Sequence, residues 1–158
     1  MNLRDITTGE DFERAFFGVS HLEVRQSGVV PRTVSKKPTL RESIEMLYTI
    51  QPQIGWDPKN PKTDLSEKVF RFIHDRLPKY LRPGLRLYCG VGTHLDTVHH
   101  ADGLFDTNSG HRLRFDLTLK VSPRHHCGVF DFRKIDFLEN NFDNTVLRFF
   151  QMLYQDVK

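Results

Sequence analysis

Three residues on one predicted strand have the types and the spacing that metal-assisted chemistry needs. In HRLRFDLTLKV, Leu113, Phe115, Leu117, Leu119 and Val121 alternate with Arg112, Arg114, Asp116, Thr118 and Lys120. Side chains on a strand alternate between faces, so Asp116, Thr118 and Lys120 point the same way, opposite a continuous apolar face. Asp102 opens the preceding arm, ADGLFD, and a hairpin through TNSG brings it toward the Asp116 end. Two carboxylates can hold Mg²⁺ or Mn²⁺, and a nearby lysine can support an attacking hydroxide or a developing negative charge. The expected chemistry is phosphodiester hydrolysis. A solvated strand face is the alternative that the same alternation allows.

A second constellation is richer in ligands and poorer in pattern. Six of the eight histidines lie between positions 94 and 126, most of them in GVGTHLDTVHHADG and PRHHCG. His94, Asp96 and His99 are suitable ligand types for Zn²⁺, which makes a zinc-dependent hydrolase a further alternative. Locally, THLDTV is similar to the His-x-Asp-Thr-Val segment of the zinc aminoacylase/carboxypeptidase family, in which the histidine is a ligand and the aspartate orients it. Arg112, Arg114 and Arg124 would give the hairpin end the basic character that phosphate binding requires, although the whole chain carries only +3. Glycine-rich phosphate loops and serine-hydrolase elbows are absent from the sequence.

The elements that must position these residues follow from periodicity. Capping-box spacing at Thr7/Glu10 and at Thr39/Glu42 predicts helices over about 8–17 and from 39 to about Tyr48. HLEVRQSGVV, with Leu22 and Val24 alternating, reads as a short edge strand or irregular arm. QPQIGWDPKNPKT, with three prolines, reads as a loop whose Trp56 pins it to the core. Leu65, Val69, Phe72, Ile73 and Leu77 define a helix from Asp64 that Pro78 ends. LRLYCGV, the two hairpin arms and GVFDFRKIDF read as strands, and Asn144 opens a last helix. Cys89 alternates onto the apolar side and should be a buried, inert thiol.

Together these elements predict an α+β domain with a mostly antiparallel sheet of three or four strands and flanking helices. The 158 residues fit a single domain, with N-terminal helices and a proline-rich loop over 1–60 and the core over 61–158. No apolar run is long enough to span a bilayer. With two cysteines and no signal-peptide pattern, the expected compartment is the cytoplasm.

In this order (a helix carrying Glu67, the LRLYCGV strand, a strand beginning at Asp102 and the FDLTLK strand) the chain resembles the PD-(D/E)xK nuclease superfamily. The resemblance spans roughly 64–120. It implies a restriction-endonuclease-like core acting on DNA, with Asp102 as the first acid, Lys120 as the lysine and Glu67 as an accessory acid. The family pattern has an acid two residues before the lysine. Here that position is Thr118, and Asp116, on the same face, would take its place with Asp102 as metal ligand. The alternative on the same scaffold is a non-enzymatic binding domain, with Phe-rich terminal helices supplying a homodimer interface.

Overall fold

The computed structural model describes residues 5–30, 36–107, 112–118 and 128–131. Helices α1 (Gly9–Phe17), α2 (His21–Gln26), α3 (Leu40–Ile54) and α4 (Asp64–Arg76) precede strand β1 (Arg86–Cys89). A one-turn helix α5 (His94–Thr97) leads to β2 (Gly103–Asp106), β3 (Arg112–Thr118) and β4 (Gly128–Asp131). The sheet order is β1-β2-β3-β4, antiparallel at the first two pairings and parallel between β3 and β4. The α+β class and the mostly antiparallel sheet are therefore as expected. Strand β4 falls at the start of the expected GVFDFRKIDF strand and runs parallel to β3. The TNSG turn tip and the helix expected from Asn144 lie outside the described residues.

The helix starts are set by their caps. At α1 the reciprocal box is Thr8/Asp11, one residue later than the sequence spacing suggests. The Asp11 carboxylate accepts the backbone N–H groups of Thr7 and Thr8, while Thr8 Oγ1 accepts that of Asp11. The Thr39/Glu42 box opens α3 as expected. That helix continues through Pro52 to a left-handed Gly55, past its predicted end at Tyr48. Gln51 explains the extension: its amide donates to the carbonyls of Leu47 and Cys89 and accepts the Cys89 N–H, tying the last turns to β1. One lost intrahelical bond at Pro52 is small beside that anchor.

HLEVRQ is helical rather than extended. Ser20 caps it, accepting the Glu23 N–H, and only Val24 of the segment is buried. Leu22 and Val24 are too few to fix a strand face once a cap is available.

The core lies between α1, α4 and the sheet. Phe12, Phe16, Phe17, Phe105 and Phe115 are fully buried with Leu87, Val69 and Ile73. The Phe16 and Phe17 rings pack against Phe115 at centroid distances of 5.6 and 6.2 Å. Gly103 permits this, since a Cβ there would lie 2.3 Å from Phe115 Cζ and 2.8 Å from Phe17 Cζ. Trp56 is buried as expected and donates its indole N–H to the Leu87 carbonyl at 2.7 Å. Cys89 is buried, and burial pushes its thiol up, away from the reactive thiolate. Among the described residues no helix is long and apolar enough to cross a membrane.

Candidate metal centre

The strand register places Asp102 immediately before β2, opposite the outgoing half of β3. Its backbone N–H donates to the Phe115 carbonyl and its carbonyl accepts the Gly90 N–H, both at 2.8 Å. Its Oδ2 accepts the Leu117 N–H at 2.8 Å, so the carboxylate is locked against the strand edge. Asp116 extends from β3 within hydrogen-bonding reach of the Asp102 carboxyl. The two aspartates expected to share an ion are thus brought together.

Two further carboxylates join them. Asp96, on α5, accepts the Gly92 N–H at 2.8 Å through Oδ2 and contacts Asp102. Glu13, on α1, is only 8% exposed, and its Oε2 accepts the N–H of His21, the first residue of α2, at 2.8 Å. The His21 ring nitrogen Nδ1 lies 3.0 Å from the same oxygen. One oxygen from each of Glu13, Asp96 and Asp102 lies within 4.8 Å of the others. That is about the span of two oxygens on opposite sides of one hard cation.

The electrostatics match this geometry. Burial raises Glu13, and its hydrogen bonds with His21 only partly offset the effect. Burial and then the neighbouring Asp102 charge push Asp96 up to about 7. Burial also raises Asp102 and Asp116; the pair competes for protons because two carboxylates in contact cannot both ionise cheaply. His21 is raised on balance: burial works against its charged form, and Glu13, Asp96 and Glu10 outweigh it. The carboxyls of Glu13, Asp96 and Asp102, with Asp116 against Asp102 and the His21 ring on Glu13, form an oxygen-rich donor set among the described residues. Such a set suits Mg²⁺, Mn²⁺ or Ca²⁺ better than zinc, and a cation here would relieve the repulsion that raises these groups.

Other residues predicted from the sequence are placed differently. Glu67 makes an ion pair with Arg71 one turn along α4, and the helical acids that act on Asp102 include Glu13 and Asp96. Helix α1 contributes Glu13 to the group with Asp96 and Asp102, and Glu67 is not in that group among the described residues. The His94, Asp96, His99 set is divided. Asp96 faces the acidic cluster, His94 lines a cavity beside α2, and neither histidine joins the cluster among the described residues. Arg112 is engaged at the other end of the sheet, 3.5 Å from Asp106 and over the Tyr48 ring at 5.7 Å. Tyr48 donates its hydroxyl to the same Asp106 carboxylate. Arg114 is half-buried on β3 and pairs in register with Leu104. Lys120 and Arg124 lie outside the described residues.

Glu13 was legible in one respect. It stands three and four residues before Phe16 and Phe17 on the buried stripe of α1, and an acid in such a stripe must be paired or functional. No family model matches the chain, nor does any curated protein or solved structure.

Proposed function

We propose that the chain is a divalent-metal-dependent nuclease acting on DNA, built on a restriction-endonuclease-like core. The observation that carries this reading is the cluster of Glu13, Asp96 and Asp102, whose oxygens lie within 4.8 Å of one another, with the half-buried Asp116 against Asp102. Asp102 and Asp116 are the central ligands, with Asp96 and Glu13 completing the oxygen set. A bound Mg²⁺ or Mn²⁺ supplies charge neutralisation at a phosphodiester and acidifies water.

The protein's own part is placement. The Leu117 N–H fixes the Asp102 carboxylate, the Gly92 N–H fixes that of Asp96, and His21 holds Glu13. Metal ligands held in this way by outer hydrogen bonds keep their orientation when the ion arrives. Lys120 retains the role that the family resemblance gives it, support of the attacking group. The zinc alternative is the weaker one, because the cluster is formed of carboxylates and not of imidazoles.

The test is nicking of supercoiled plasmid with Mg²⁺ or Mn²⁺. Asp102→Ala, Asp116→Ala and Lys120→Ala are expected to abolish cleavage, whereas Glu67→Ala retains it. Cleavage that survives both Asp102→Ala and Asp116→Ala would falsify the assignment.

A further inference from the structure

A cavity of about 990 Å³ lies on the other side of α5 from the carboxylates. It is walled by α2 through Arg25 and Gln26, by α5 through His94 and Thr97, and by Gly92 and Lys37. No carboxylate lines it among the described residues. Arg25 and Lys37 are both exposed. Neither enters an ion pair among the described residues, whereas Arg14, Arg41, Arg71 and Arg112 each have a carboxylate partner.

The cavity and the acidic cluster share their walls. The N–H of Gly92 binds Asp96 while the residue itself lines the cavity. His21 begins α2 on Glu13, and Arg25 follows one turn later on the cavity side. Gly92, at φ +75°, allows the two walls to meet: a Cβ there would lie 2.7 Å from Val24 Cβ and 2.8 Å from the His21 carbonyl.

From this juxtaposition we infer that the cavity is the strand-binding subsite of the enzyme, in which Arg25 and Lys37 hold phosphates adjacent to the bond cut at the carboxylates. The inference rests on the nuclease reading and adds to it where the substrate lies. Cations with no ion pair among the described residues, in a groove that no described carboxylate lines, attract a polyanion, and the carboxylates next door would repel one unless the groove supplied compensating charge. The recognised chemistry is a phosphodiester chain. Of the basic groups expected for this task, Arg112 and Arg114 lie on β3, where Arg112 is already engaged by Asp106, and Arg124 lies outside the described residues.

The experiment is the salt dependence of binding to a fluorescein-labelled single strand, read by anisotropy with Ca²⁺ present, for DNA and for RNA of one sequence. Arg25→Ala/Lys37→Ala should lower the slope of log K against log salt by about 1.4–1.8, the contribution of two phosphate contacts. Equivalently, about a tenfold part of the affinity lost between 50 and 200 mM salt disappears. Lys59→Ala/Lys79→Ala, which removes the same charge elsewhere on the surface, should leave the slope unchanged. A dependence seen with either strand supports the subsite, and the strand that shows it names the sugar. If the slope is unchanged in the first double variant, or falls equally in both, the inference is overturned. Mn²⁺ binding by the wild-type chain, measured in parallel without nucleic acid, separates the two failures. Mn²⁺ bound with an unchanged slope rejects the subsite alone, and no Mn²⁺ bound rejects the metal centre beneath it.

Discussion

Replacing Asp102 by asparagine should stabilise the metal-free protein and at the same time remove its response to metal. Asp102 is 5% exposed, and burial together with Asp116 raises its carboxyl far above the ordinary range. Across pH 5–7 the folded state therefore holds a proton that the unfolded chain releases, and stability falls as pH rises. One proton corresponds to about 1.4 kcal/mol per pH unit, or on the order of 2.7 kcal/mol between pH 5 and 7. Asparagine is neutral in both states and keeps an oxygen to accept the Leu117 N–H, so the variant lacks this loss. The Tm difference, variant minus wild type, should widen by roughly 5–11 °C over that interval. Thermal melts in EDTA at pH 5, 6 and 7 read it directly. Repeating the melts with Mn²⁺ should raise the wild-type Tm and leave that of the variant unmoved. Parallel pH profiles for the two proteins, or an equal Mn²⁺ shift in both, would refute the reasoning.

Two other outcomes follow from the same geometry. Metal affinity should rise with pH through 7 and beyond it, by about tenfold per unit for each proton displaced, because Asp96 titrates near 7 and Asp102 holds its proton to higher pH still, and a cation must displace both. Isothermal titration in buffers of different ionisation enthalpy would show that proton release, and a pH-independent affinity would contradict it. Gly103→Ala should destabilise the fold by about 1–3 kcal/mol, seen as a lower denaturant midpoint, because its Cβ would lie 2.3 Å from Phe115 Cζ. An unchanged midpoint would show that the Phe17 and Phe115 rings have more freedom than their packing implies.

What the sequence disclosed depended on how local each signal was. The alternation through Arg112–Thr118 put Asp116 on the polar face of a strand, and the following-turn logic put Asp102 near it; both are period-two arguments needing only short windows. The stripe from Leu65 to Leu77 defined α4 for the same reason. The segment HLEVRQ is too short for any period to be decisive, and its Ser20 cap, not its alternation, decides the helix. The length of α3 was hidden because Pro52 reads as a stop, while the Gln51 bonds that outweigh it reach Cys89, far along the chain. Glu13 was hidden in a similar way. Nothing in its spacing connects it with Asp96 and Asp102, and only the packing of α1 across the sheet does so. Glu67 lies on the helix expected for it and pairs with Arg71, because membership of a helix says nothing about which neighbour its acid meets. The parallel placement of β4 depends on the path between Thr118 and Gly128, which composition alone does not dictate.

The most direct measurement is Mn²⁺ binding to the full chain, followed by the loss of the free-ion electron paramagnetic resonance signal, for wild type, Asp102→Ala and Glu13→Gln. The account predicts saturable binding of at least one ion per chain, abolished by Asp102→Ala and weakened by Glu13→Gln, with all three proteins folded by circular dichroism. Wild type that binds no Mn²⁺, or Asp102→Ala that binds it undiminished, would contradict the carboxylate centre and the nuclease reading built on it.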